Sequence, residues 1–195
     1  MVYLDPVMWK YTAHHVAHKQ RKEHAISADE LTFKVVDVAG HRLYAVIFEP
    51  QHAKALIASW GTPGIGISIR GAEQLLEKIN SAVEVPFESI ESPPEPTWTP
   101  EGPAHDALRK RIAKLLERAA IDPDKAKARP EDVFLYPTGM AAVFTATGVL
   151  QDYRPGLVNV ELGITFHNTH EYLREESPGG WKHIATVDKE ALDGL

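Results

Sequence analysis

The stretch DVFLYPTGMAAVFTATGVL, residues 132–150, decides how the chain is expected to fold. The apolar run from Val133 to Tyr136 is typical of a buried strand, and the residues after Pro137 have the small, apolar character and spacing of a packed helix. A second strand is predicted in GLVNVELG, residues 156–163. Strand, helix and strand in this order predict an α/β domain with parallel strands, in which ligands bind beyond the carboxyl ends of the strands.

Composition limits the classes of protein that the chain can belong to. With 195 residues, of which 44% are hydrophobic and 25% charged, the chain can form one sizeable core. A formal net charge of −6 with mixed signs gives no electrostatic footprint for nucleic acid or an anionic membrane. The absence of cysteine excludes disulfides, thiolate metal sites and cysteine nucleophiles. No signal peptide and no membrane-length apolar run is found, which predicts a cytoplasmic protein.

The chain is predicted to divide into two parts. Residues 1–103 are interpreted as an amino-terminal arm, a β-hairpin around Ala39-Gly40-His41 and a proline-rich linker, and residues 104–195 as the start of the α/β domain. An amphipathic helix is predicted in AHDALRKRIAKLLERAAI, with a basic outer face. Its inward side chains are expected to be Leu108, Ile112, Leu115 and Ala119.

The turn Thr138-Gly139-Met140 allows two interpretations. The first backbone N–H groups of a helix lack internal partners and, with the helix dipole, favour an anion, while a glycine lets that anion approach closely. The turn can equally be an ordinary helix start, with Thr138 as the N-cap and Gly139 as a packing residue. Short glycine motifs of this kind do not by themselves separate the two.

Several motifs in one order resemble a known family. FLYPTGMAAVFTA resembles the phosphate-binding Gly-Met turn of the γ-family of pyridoxal-phosphate enzymes of Cys/Met metabolism. Together with RLYAVIF, GIGISIRGAEQLL and RPGL, it resembles the fungal cystathionine γ-synthase-like branch of that trans-sulfuration family, over roughly residues 32–195. The resemblance implies the amino-terminal part of an aspartate-aminotransferase-like large domain, preceded by a hairpin-containing arm.

The same resemblance implies a cofactor site and partners. Gly139 and Met140, capped by Thr138, would hold the phosphate of pyridoxal 5′-phosphate, and Arg70 would reach the phosphate of a neighbouring subunit, for which its planar fork is suited. Ser68 stands where the family carries a tyrosine. The expected reaction is γ-substitution on an activated homoserine by a thiol such as cysteine, in a homo-oligomer with no nucleic acid or membrane partner. Candidates to stack on the cofactor ring are Phe166, His167 and Tyr172.

No catalytic residue is assigned, because the lysine and aspartate that such enzymes need are not found in the chain. The sequence is therefore expected to be either an amino-terminal piece of a longer enzyme or a natural truncation that acts only in association. An unrelated α/β binding domain with a fortuitous helix cap is a further alternative.

Histidines at helical spacing are candidate metal ligands at two places in the chain. His14, His15 and His18 form one group, and His167 and His170 a second. Because neither group carries a third ligand at a recognisable spacing, both are interpreted as solvated helix faces, and no metal site is predicted.

Overall fold

A computed structural model describes residues 1–16, 26–86, 101–122, 125 and 127–193. These residues form a mixed α/β structure with two small sheets. The strands are β1 (Val2–Tyr3), β2 (Thr32–Val38), β3 (His41–Ile47), β4 (Val83–Val85), β5 (Asn159–Leu162) and β6 (Trp181–Ile184). The helices are α1 (Pro6–Val16), α2 (Ala53–Gly61), α3 (Ile69–Leu76), α4 (Pro103–Ala119), α5 (Gly139–Tyr153), α6 (His167–Glu175) and α7 (Lys189–Asp193).

The first sheet is antiparallel, in the order β1-β3-β2-β4. The predicted hairpin is confirmed: β2 and β3 are joined by the two-residue turn Ala39-Gly40, and both residues have positive φ, 50° and 78°. Positive φ at both central positions gives the turn a twist that matches the twist of the flanking strands. The short strand β4 lies within the segment predicted as a linker and pairs with β2 at an edge of the sheet.

The main core lies between this sheet and the helices α1 and α2. Tyr3, Met8, Val46 and Leu56 are almost completely buried there. The predicted amino-terminal arm therefore supplies core residues, because alternate residues of the strands and one face of α1 point to the same interior.

The second sheet contains the parallel pair β5 and β6, connected by α6. The predicted strand from Val133 to Tyr136 is wrong, since these residues have no regular secondary structure. Phe134 is 74% exposed, and the carbonyl of Val133 accepts a hydrogen bond from the Arg109 side chain in place of a ladder partner. The strand-helix-strand unit predicted for residues 132–163 is accordingly formed one element later, by β5, α6 and β6.

The helix predicted after residue 103 is confirmed as α4, but the assignment of its inward face is wrong in part. Leu108 and Leu115 are 50% and 41% exposed, whereas the neighbouring Ala113 is buried. Within the described ranges, none of the helices combines the length and the hydropathy that a membrane-spanning segment requires.

Candidate functional site

The turn before α5 is open to solvent and ends in an ordered helix start. Thr138 is the N-cap residue, and its hydroxyl oxygen accepts a hydrogen bond from the Ala141 N–H at 3.0 Å. Gly139 and Met140 are the first two residues of the helix, so their N–H groups have no carbonyl partner within it. A Cβ atom built on Gly139 would meet no atom within 4 Å. The turn therefore offers two backbone donors without helical partners, with open space beside Gly139, at the positive end of a 15-residue helix.

The loop GTPGIG, residues 61–66, packs against this turn. The Thr138 hydroxyl donates to the carbonyl oxygen of Gly64 at 2.9 Å. Gly64 has a positive φ of 63°, and a Cβ atom there would lie 2.8 Å from the Cβ of Met140, closer than side chains tolerate. Met140 itself is buried. Loop and helix start thus form one packed unit, with Thr138 and Met140 as its internal contacts and Gly139 as its exposed member.

Arg70 lies in a different cavity. It is an exposed residue at the start of α3, and the cavity of about 460 Å³ that it lines also contains His41, Ser68 and Gln74. None of the described residues that line this cavity belongs to the turn before α5. Ser68, which stands at the position of the family tyrosine, is the N-cap of α3 and accepts a hydrogen bond from the N–H of Gly71 at 3.1 Å.

The three aromatic candidates for cofactor stacking have different environments. Phe166 is 64% exposed immediately before α6, and His167 is exposed at the first position of that helix. Tyr172 is buried against Phe144, with ring centroids 5.5 Å apart, and burial raises its pKa to about 12. Tyr172 therefore behaves as a core residue.

A second group of polar side chains lies between α6 and the parallel sheet. Glu161 on β5 has a side chain only 1% exposed, and it accepts hydrogen bonds from the Trp181 indole N–H at 3.0 Å and from the Thr165 hydroxyl. His170 Nδ1 lies 3.0 Å from Glu161 Oε2, the same carboxylate oxygen that accepts the Trp181 hydrogen bond. Glu161, His170 and His183 each offer one ligand atom within 4.8 Å of those of the other two. The sequence did not reveal this group because its members come from three elements that meet only in the folded chain.

His15 was predicted to lie on a solvated helix face. The prediction is wrong, because its side chain is only 2% exposed. Its Nδ1 lies 3.0 Å from a carboxylate oxygen of Glu176, and its ring stacks with Tyr11 at 5.1 Å. This contact joins α1 to the end of α6. His18 of the same predicted group lies outside the described residues.

Comparison with known proteins finds a similarity to a racemase. The relative is alanine racemase ungC of Aspergillus violaceofuscus (strain CBS 115571), which is 31% identical to this chain over 144 residues. The aligned region covers 70% of this chain and 24% of that protein, so the chain spans about a quarter of the length of the curated relative that it matches. No family model and no solved structure matches the chain.

This similarity corrects the predicted family and reaction. The assignment to the γ-family of Cys/Met metabolism, with γ-substitution by a cystathionine γ-synthase-like enzyme, is wrong, because the matching protein is an alanine racemase. The predicted aspartate-aminotransferase-like fold class is wrong as well, and the small sheets described above differ from it. A glycine at a helix start and short apolar strands are local solutions that many folds share, so the order of such motifs misled the assignment. The similarity supports the predicted cofactor, pyridoxal 5′-phosphate, and the coarser prediction of an enzyme.

Proposed function

We propose that this chain contributes the phosphate-binding part of a pyridoxal-phosphate-dependent enzyme that acts on an amino acid, with racemisation of alanine as the reaction. The similarity to alanine racemase ungC is the observation that carries the proposal. The structure supports the proposal as well, because the helix start at Gly139 is open.

The residues around the turn fit the phosphate of such a cofactor. The N–H groups of Gly139 and Met140 would donate to phosphate oxygens, and the helix dipole adds a favourable field for the negative charge. The absence of a side chain at Gly139 leaves room for the anion. Thr138 would position these donors rather than bind, since its hydroxyl hydrogen bonds are already made to Gly64 and Ala141. When bound, the cofactor supplies the electron sink that lets an amino acid lose its α-proton.

Binding of pyridoxal phosphate to the chain and to two charge variants tests the site. Gly139→Asp places a carboxylate where the phosphate would lie, and we expect it to weaken binding by at least about tenfold, equivalent to about 1.4 kcal/mol. A carboxylate at a helix N-terminus interacts favourably with the helix dipole and stabilises the helix, so the melting temperature should not fall. Fluorescence titration gives the affinity, and circular dichroism gives the melting temperature.

Gly148→Asp is the matched control, because it adds the same charge to the same helix at another glycine with open space around it. It should leave the affinity for pyridoxal phosphate within about twofold, a change of about 0.4 kcal/mol. Equal affinities of the Gly139→Asp and Gly148→Asp chains would remove the turn from the proposed site.

Chiral chromatography of an incubation with L-alanine and the cofactor tests the substrate. Formation of D-alanine beyond that produced by the cofactor alone would support alanine as the substrate, whereas the phosphate site is tested by the binding measurements alone.

A further inference from the structure

The cluster of Glu161, His170 and His183 is built by the register of the parallel sheet. Glu161 on β5 and His183 on β6 are directly paired, so their side chains point to the same face of the sheet. Trp181, two residues before His183, lies on that face as well, and α6 covers it with His170. The rings of His170 and His183 are 5.2 Å apart. Three elements thus direct one carboxylate and two imidazoles to one place.

The hydrogen bond made by His183 leaves one of its nitrogen lone pairs available, and a metal ion at His170 would replace the hydrogen that Nδ1 shares with Glu161. His183 Nε2 lies 2.8 Å from the carbonyl oxygen of Gly163, which can only accept, so Nε2 carries the hydrogen and Nδ1 of the neutral ring keeps its lone pair. Metal-ligating histidines commonly donate their other N–H to a backbone carbonyl or a carboxylate, which fixes the tautomer. The contact of His183 with Gly163 has this form.

The charge of the buried carboxylate also favours a cation. Hydrogen bonds from Trp181 and Thr165 satisfy oxygen atoms of Glu161 but supply no positive charge. A buried carboxylate is costly unless it is paired with a cation or coordinates a metal. His170 and His183 are the cationic groups that can offset the charge of Glu161, and a dication bound between the three side chains would offset it directly.

We propose that Glu161, His170 and His183 bind a divalent transition metal ion, with Zn²⁺ as the best fit. Ligand atoms about 2.0–2.1 Å from a tetrahedral zinc ion lie about 3.3 Å from each other. His170 Nδ1 and Glu161 Oε2 are already 3.0 Å apart, and the exposed His183 has room to complete the set. Two imidazoles and one carboxylate select Zn²⁺ and its neighbours over Mg²⁺ or Ca²⁺, which prefer oxygen ligands alone. This site is independent of the proposed cofactor site and of its reaction.

The test is calorimetric titration of the full 195-residue chain, freed of metal by a chelator, with Zn²⁺ and separately with Mg²⁺. We expect saturable binding of one Zn²⁺ per chain and no binding of Mg²⁺. His183→Ala should weaken Zn²⁺ binding by at least about tenfold. Removal of a residue that only supports a metal ligand already lowers the affinity by about that factor, and His183 would be a ligand itself. His167→Ala, which removes an exposed histidine from the first turn of α6, is the matched control and should bind as the native chain does.

Thermal unfolding provides a second measurement that does not depend on the heat of binding. Zn²⁺ should raise the melting temperature of the native and His167→Ala chains but not that of the His183→Ala chain, since a ligand that binds only the folded state stabilises it. Because His183 is exposed, its replacement leaves the fold intact. The proposal is overturned if Zn²⁺ does not saturate the native chain, or if the His183→Ala and His167→Ala chains bind it equally. The three side chains would then be a hydrogen-bonded support for α6 alone.

Discussion

The carboxylate of Glu161 is almost fully buried, so its neighbours decide its protonation. Burial raises the pKa of Glu161, but hydrogen bonds from Thr165 and Trp181, together with the positive charge available on His170 and His183, outweigh burial and lower the pKa below its ordinary value of 4.5. A carboxyl whose pKa is lowered by folding contributes stability that is fully present above the pKa of the unfolded chain. That contribution is lost as the pH falls through the lower pKa of the folded chain.

Replacement of Glu161 by Gln should therefore have an effect that depends on pH. Near pH 7, Glu161→Gln should lower the free energy of unfolding by about 1–3 kcal/mol, the range for a buried group that loses charged hydrogen bonds. The difference from the native chain should shrink as the pH falls below about 4.5, because the unfolded chain then takes up a proton that the folded carboxylate still resists. Urea unfolding at several pH values measures this difference in the free energy of unfolding. Glu84→Gln, which breaks a largely exposed pair with Lys34, is the control, and a pH-independent cost for Glu161→Gln would contradict the assignment.

The hairpin of β2 and β3 contains a residue that is not the best choice for its conformation. Ala39 has a φ of 50°, a region that costs an L-residue with a Cβ about 1 kcal/mol or more. Asn and Gly are the residues that two-residue hairpin turns favour at this position. Ala39→Asn should therefore raise the free energy of unfolding by about 0.5–1 kcal/mol. Gly40→Ala, at a φ of 78°, should lower it, and chemical denaturation of both chains should show these opposite signs.

Local elements of the fold could be predicted from the sequence, and non-local ones could not. The hairpin at Ala39-Gly40 and the helix start at Thr138 depend on neighbouring residues, and both were predicted. The apolar run from Val133 to Tyr136 was predicted as a strand, but a strand needs a partner, and its residues do not pair in the structure. The Glu161 cluster was missed for the same reason, since pairing of β5 with β6 brings its members together.

At the scale of the whole molecule, contacts between the first and second halves of the chain fix the helix that begins at the candidate cofactor site. Tyr11 of α1 packs edge-on against Phe144 of α5, with ring centroids 5.0 Å apart. His15 contacts Glu176, and the carbonyl of Gly64 accepts the Thr138 hydroxyl. The Gly64 contact holds the start of α5, and the Tyr11 contact holds the same helix at Phe144, so residues distant in sequence fix α5 at two points. Of these contacts, the bond between Thr138 and Gly64 is the one that lies beside the donors at Gly139.

Self-association, predicted above as a homo-oligomer implied by the family resemblance, stays a prediction, and the second sheet allows it to be stated more sharply. Side chains alternate along β5, so Val160 and Leu162 lie on the face opposite Glu161, where they are 42% and 41% exposed. A two-stranded sheet with an exposed apolar face and open edges is a surface on which a second copy can pack. Sedimentation velocity at micromolar concentrations should therefore show a dimer or larger species for the native chain.

A single charge on this face should dissociate that species. Val160→Lys places an ammonium group in the apolar surface, and burying it against a second copy without a partner would cost several kcal/mol, about a thousandfold or more in the association constant. Ile164→Lys is the control, because Ile164 is 97% exposed and lies just beyond the end of β5. If the Val160→Lys and Ile164→Lys chains sediment alike, this face is not the contact. A native chain that sediments as a monomer would contradict self-association itself.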